Sequence, residues 1–159
     1  MTHYVAIDIG GTNIKYGLID QEGQLVESHE MPTEAHKGGP HILQKIKDIV
    51  ASYIEKGPVA GVAISSAGMV DPDKGEIFYA GPQIPNYAGT QFKKEIETSF
   101  AIPCEIENDV NCAGLAEAVS GSGKGASVTL CLTIGTGIGG CLIMDGKVFH
   151  GFSNSACEV

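Results

Sequence analysis

The chain has 159 residues, 43% of them hydrophobic and 18% charged, which gives it material for a packed core and excludes a disordered segment. A formal net charge of −9 without any Lys/Arg run argues against a nucleic-acid binder, whose footprint is basic. No apolar stretch approaches the ~20 residues of a membrane span, and residues 1–4 lead into a strand-like run without the segments of a secretory leader, so a cytoplasmic location is expected.

In chain order, Val5-Ala6-Ile7 reads as a buried strand that ends in the turn Asp8-Ile9-Gly10-Gly11-Thr12. A second strand follows over 14–20, and Gln21-Glu22-Gly23 turns the chain into a third over 24–30. Three strands in succession predict an antiparallel meander, where a dinucleotide-binding unit would place a helix after the first strand. Between Pro40 and Glu55 the apolar residues Ile42, Leu43, Ile46, Ile49, Val50, Tyr53 and Ile54 recur at helical spacing, closed by Gly57-Pro58. Residues 59–65 read as a buried strand, and Asp71-Pro72-Asp73-Lys74-Gly75 as a hairpin tip. A helix is predicted from about 89 to 99, a strand over 103–107, and a third helix capped by Asn108 and running to Val119, with Leu115, Ala116 and Val119 inward. Gly121-Ser122-Gly123-Lys124-Gly125 is a loop, followed by strands over 127–134, 139–144 and 147–149.

The glycines, 22 in all, are clustered, and two clusters correspond. At an offset of 125 residues Val5-Ala6-Ile7 falls on Leu130-Cys131-Leu132, Gly10 on Gly135, and Leu18-Ile19-Asp20 on Ile143-Met144-Asp145. Each copy is a strand, a glycine turn and a returning strand, an internal repeat that bears on architecture. Such turns let backbone N–H groups approach phosphate oxygens without a Cβ in the way, although a single copy is equally an ordinary glycine hairpin. Two other phosphate motifs are excluded. Gly135, Gly137 and Gly140 fit G-x-G-x-x-G, but a strand follows where a helix is required. Gly123-Lys124 is followed by Gly125 in place of Ser or Thr, so it does not complete a Walker A loop. The five cysteines show no C-x-x-C pair, which disfavours a disulfide framework or a zinc site; Cys131 and Cys141 read as small strand hydrophobes.

Taken together, Asp8-Ile9-Gly10-Gly11-Thr12, Glu107-Asn108-Asp109, residues 134–140 and residues 151–158 resemble, in order, the motifs of the ROK family, actin-like-fold sugar kinases and related repressors. The resemblance implies an α/β, actin-like (ribonuclease H-like) ATPase fold, with a small N-terminal domain over 1–117 and the start of a larger domain over 118–159. Family chains run on past this point, so the sequence is read as the N-terminal portion of a kinase, leaving a zinc site undecided. The resemblance assigns Asp109 as general base for a sugar hydroxyl, with Asn108 and Glu158 hydrogen-bonding the sugar and Gly68 and Gly81 approaching it by backbone. It assigns Gly10, Gly11, Thr12, Gly135, Thr136 and Gly137 to the phosphates of ATP, and Asp8 to Mg²⁺ through water. Lys15 would neutralise phosphate charge. The bland alternatives are an acidic residue favoured at a helix start for Asp109, a strand-end turn cap for Asp8, a solvated strand lysine for Lys15 and plain turn glycines for Gly68 and Gly81. Cys157 departs from the glycine many members carry before the glutamate. The implied partner is a hexose or N-acetylhexosamine, with no nucleic acid or membrane, and family habit suggests a homodimer. A sugar-sensing regulator without catalysis is the rival reading; family repressors carry a DNA-binding segment before the first strand, and here the strand begins near His3.

Overall fold

The computed structural model describes residues 2–135 and 137–151 and groups the chain into two compact units, Met1–Glu107 and Asn108–Val159. The first is built on a five-stranded sheet ordered β3-β2-β1-β4-β7, from β1 (His3–Ile9), β2 (Asn13–Asp20), β3 (Leu25–Pro32), β4 (Gly61–Ser66) and β7 (Cys104–Asn108). β1, β2 and β3 form the expected antiparallel meander, and β4 pairs parallel to β1. That parallel return is made by α1 (Gly39–Lys56), with Pro40 in its first turn as predicted and Gly57 as its C-cap. A small hairpin of β5 (Met69–Asp71) and β6 (Glu76–Tyr79) and a helix α2 (Phe92–Phe100) complete the unit.

Alternation along the strands sends Val5, Ile7 and Ile9 of β1, Val62 and Ile64 of β4, and Cys104 and Ile106 of β7 to one face. They share a core with Ile42, Ile46, Ile49, Val50 and Tyr53 of α1 and Phe92 and Ile96 of α2. The helical spacing read from the sequence for α1 is therefore its buried stripe. Helix α2 begins three residues later than predicted, because Tyr87–Thr90 form a turn in which the Thr90 hydroxyl donates to the Tyr87 carbonyl.

In the second unit α3 (Asp109–Ser120) contacts a three-stranded sheet, β10-β9-β8, made of β8 (Val128–Ile134), β9 (Ile138–Met144) and β10 (Lys147–Val148). The predicted inward face of α3 needs correction. Val119 is 66% exposed and Ala116 is also exposed, whereas Gly114 is the buried residue. A Cβ on Gly114 would stand 2.5 Å from Cys141 Sγ, and one on Gly139 would stand 2.6 Å from Val110 Cγ2. The helix thus lies close against β9 on glycine contacts, which hydrophobic spacing does not reveal. Of the two strand cysteines Cys141 is buried and Cys131, its register partner, is half-buried.

Candidate functional site

The corresponding hairpins are present at the expected places. An offset of 125 residues carries β1 onto β8 residue for residue, and β2 begins at 13 where β9 begins at 138. The turns differ. The last pair of the first hairpin is Ile9↔Ile14 and that of the second is Ile134↔Ile138, a register one residue tighter. Accordingly the Gly10 N–H donates to the Asn13 carbonyl at 3.0 Å, while the Gly135 N–H donates to the Gly137 carbonyl at 2.9 Å. The two loops belong to different units.

Gly10 has a steric reason to be glycine, since a Cβ there would stand 2.9 Å from the Asn13 carbonyl oxygen. Gly11 and Thr12 are exposed, and the space around a Cβ on Gly11 is open. Asp8 is exposed at the end of β1, in register with Lys15 on β2 and Ser65 on β4. One residue that sequence reasoning missed anchors this loop. Thr33, fully buried just after β3, donates its hydroxyl to the Gly10 carbonyl at 2.7 Å and its N–H to the Thr12 carbonyl at 2.8 Å. Its sequence signal was a hydroxyl residue directly after the strand-ending Pro32.

Beside that loop, the Ala67 N–H donates to the Ile9 carbonyl at 3.0 Å, so the turn after β4 runs next to the end of β1. Gly68 sits there with φ +90°, a conformation L side chains rarely adopt, and a Cβ would stand 3.0 Å from the Tyr79 carbonyl. Gly81 lacks a positive φ, and the atoms nearest an added Cβ belong to the flexible side chain of Gln83. The turn rests on a buried polar pair that the sequence did not announce, with Ser66 hydrogen-bonded through its hydroxyl to Tyr87 and to the Ala67 carbonyl.

In the second unit Asn108 caps α3 as predicted. Its Oδ1 accepts from the Val110 N–H at 3.0 Å and the Asn111 N–H at 3.3 Å. Those bonds satisfy two of the N–H groups left open at the start of α3. Asp109 follows in the first turn, exposed, its carboxylate accepting from the Val110 N–H at 2.9 Å. Because Val110 packs at Gly139, the start of α3 and the β8–β9 turn lie at one end of this unit. Thr136, Cys157 and Glu158 lie outside the described residues, so the sugar motif over 151–158 is represented by Gly151 alone, with φ +73°.

The pronounced charge shifts belong to the frame. Lys37, Lys45 and His41 surround Glu34 at 2.7, 2.7 and 3.3 Å, and their hydrogen bonds hold its carboxyl down at about 2. Burial pushes the Cys104 thiol up to about 12, which makes it inert. Among the described residues no cluster of three or more His, Cys, Asp or Glu is arranged to hold a metal, and no helix is long and apolar enough to cross a membrane.

A family profile described as ROK matches residues 4–159. An uncharacterized protein of Clostridium perfringens is 55% identical over 98% of this chain, which covers 53% of that protein. A glucokinase of Halalkalibacterium halodurans is 32% identical over 98% of the chain and 48% of its own length. In structure, the chain is similar to a ROK family glucokinase from Streptomyces griseus in complex with glucose and AMPPNP, with TM-score 0.84 and 32% identity over 98% of this chain and 49% of that one. The chain spans about half the length of the curated relatives it matches. The profile match over nearly every residue, the paired glycine hairpins and the likeness to a glucokinase of actin-like ATPase fold agree: this chain belongs to the ROK family.

Proposed function

We propose that the full-length protein transfers the γ-phosphoryl group of ATP to a hydroxyl of a hexose or N-acetylhexosamine, the 6-hydroxyl, with Asp109 as general base. The observation that carries this reading is the cap of α3. Asn108 spends its side-chain oxygen on the helix N-terminus, and the next residue presents an exposed carboxylate in the first turn, at the same end of its unit as a glycine turn. The positive end of the helix dipole favours the ionised carboxylate, the form that accepts a proton.

In this mechanism Asp109 takes the proton of the sugar hydroxyl as its oxygen attacks the γ-phosphorus, and ADP leaves. Asn108 and Glu158 hydrogen-bond sugar hydroxyls, and Gly68 and Gly81 let the sugar approach the backbone. Gly10, Gly11 and Thr12 supply N–H groups to the phosphates from one hairpin, and Gly135, Thr136 and Gly137 from the other. The exposed Asp8 carboxylate suits Mg²⁺ held through water, since that ion keeps several waters and uses few carboxylates; bound with ATP, it supplies charge neutralisation. Lys15, opposite Asp8, adds positive charge to the same edge.

The reading is tested by ADP release from the full-length protein given Mg-ATP and a panel of hexoses and N-acetylhexosamines. Release that depends on sugar, with one substrate well ahead, is expected. No release with a sugar the protein demonstrably binds would instead identify a sensor that kept the fold and lost the chemistry.

A further inference from the structure

Thr33 has no part in the roles above, yet with Ser66 it is one of two fully buried polar residues among the described residues, and both its donors go to the loop over 10–12. In a trans peptide the C=O and the following N–H point in opposite directions. When the Gly10 carbonyl is drawn to the Thr33 hydroxyl, the Gly11 N–H is turned away from the protein interior, toward a side where Gly11 is exposed and the space is open. The bond from the Thr33 N–H fixes the Thr12 carbonyl in the same manner.

The segment that carries Thr33 is itself clamped on both sides. Lys45 of α1 donates from Nζ to the Pro32 carbonyl at 2.6 Å and pairs with the Glu34 carboxylate at 2.7 Å, and Lys37 and His41 hold the other positions around Glu34. Glu34 keeps φ +55° within this cluster. Helix α1, through Lys45 and His41 and together with Lys37, therefore holds the Glu34 carboxylate and seats a single hydroxyl under the turn.

From this geometry we infer that Thr33 is a positioning residue for nucleotide, holding the Gly10–Gly11 peptide so that the Gly11 N–H faces a phosphate oxygen. The inference rests on the kinase reading for the identity of that anion. It acts before any chemistry, by sparing the loop the reorientation that binding would otherwise require.

The test compares wild type with Thr33→Val, which removes the hydroxyl at nearly constant shape, and Thr33→Ser, which keeps it, in the full-length protein. Calorimetric titration with Mg-AMPPNP is expected to show about ten-fold weaker binding for T33V, the worth of one hydrogen bond, with T33S near wild type and sugar affinity unchanged in both. Hydrogen exchange without ligand should show reduced protection of the Gly10 and residue 33 amides in T33V alone. Wild-type nucleotide affinity in T33V overturns the positioning role, including the case where loop exchange has risen. Equal loss in T33V and T33S overturns it also. If wild type binds no nucleotide, the kinase reading itself has failed, and unchanged exchange in T33V would independently remove the bracing.

Discussion

At the scale of single residues the weight falls on Asp109, on Asn108, which caps the helix that carries it, and on Thr33, which holds the loop over 10–12. Asp109→Ala in the full-length protein is expected to lower turnover by roughly 10²–10⁴, the usual contribution of a general base, with sugar affinity little changed. Asn108→Ala removes the acceptor for two amides and is expected to cost about 1 kcal/mol in thermal or urea unfolding, alongside weaker sugar binding. Some of these residues were legible from type and spacing, as with Asn108 before a helical run and Gly10 in a turn. Thr33, Ser66 and Tyr87 were not, because a buried hydroxyl is recognised by the carbonyl or hydroxyl it meets, and those partners are distant in sequence.

At the scale of elements, periodicity located nearly every strand and helix, since α1 buries the stripe its spacing announced and the hairpins recur at the offset read from the sequence. It failed for α3. There the contact is made by Gly114 against Cys141 and Val110 against Gly139, so at each point a glycine on one element admits a larger side chain from the other. Gly114→Val is expected to destabilise by about 1–3 kcal/mol through overpacking, readable as a lower Tm. The register of the second turn was also beyond sequence, as the two motifs align while the closing pairs of the two hairpins differ in register by one residue. The clamp on Glu34 sets an acid limit. A carboxyl held at about 2, against an ordinary 4.5, stabilises the fold fully above its unfolded value and loses that contribution as pH falls toward 2. Glu34→Gln is expected to flatten the acid unfolding curve of the protein between about pH 4.5 and 2, whereas an unchanged curve would show that the cluster does not couple to folding.

At the scale of the whole molecule, the family expectation divides the chain after 117, while compactness groups α3 with β8, β9 and β10. Grouped so, the Asn108 cap and the second glycine turn are held by one body whatever follows in the chain. Val128, Leu130 and Leu132, on one face of β8, are each about 60% exposed, and Ile134 is 83% exposed. An apolar strand face of this kind is unusual on an isolated soluble protein. The 159-residue chain, spanning about half of its relatives, is accordingly expected to bind a hydrophobic dye and to turn over little substrate. Vigorous kinase activity from this chain alone would show that the machinery is complete within it.

The most direct measurement is sugar-dependent ADP release by full-length wild type and Asp109→Asn, side by side, with sugar binding followed in parallel. The general-base role of Asp109 predicts release by the wild type that requires the sugar, and release lower by orders of magnitude in the variant at similar sugar affinity. Equal turnover by the two, in correctly folded protein, would contradict it.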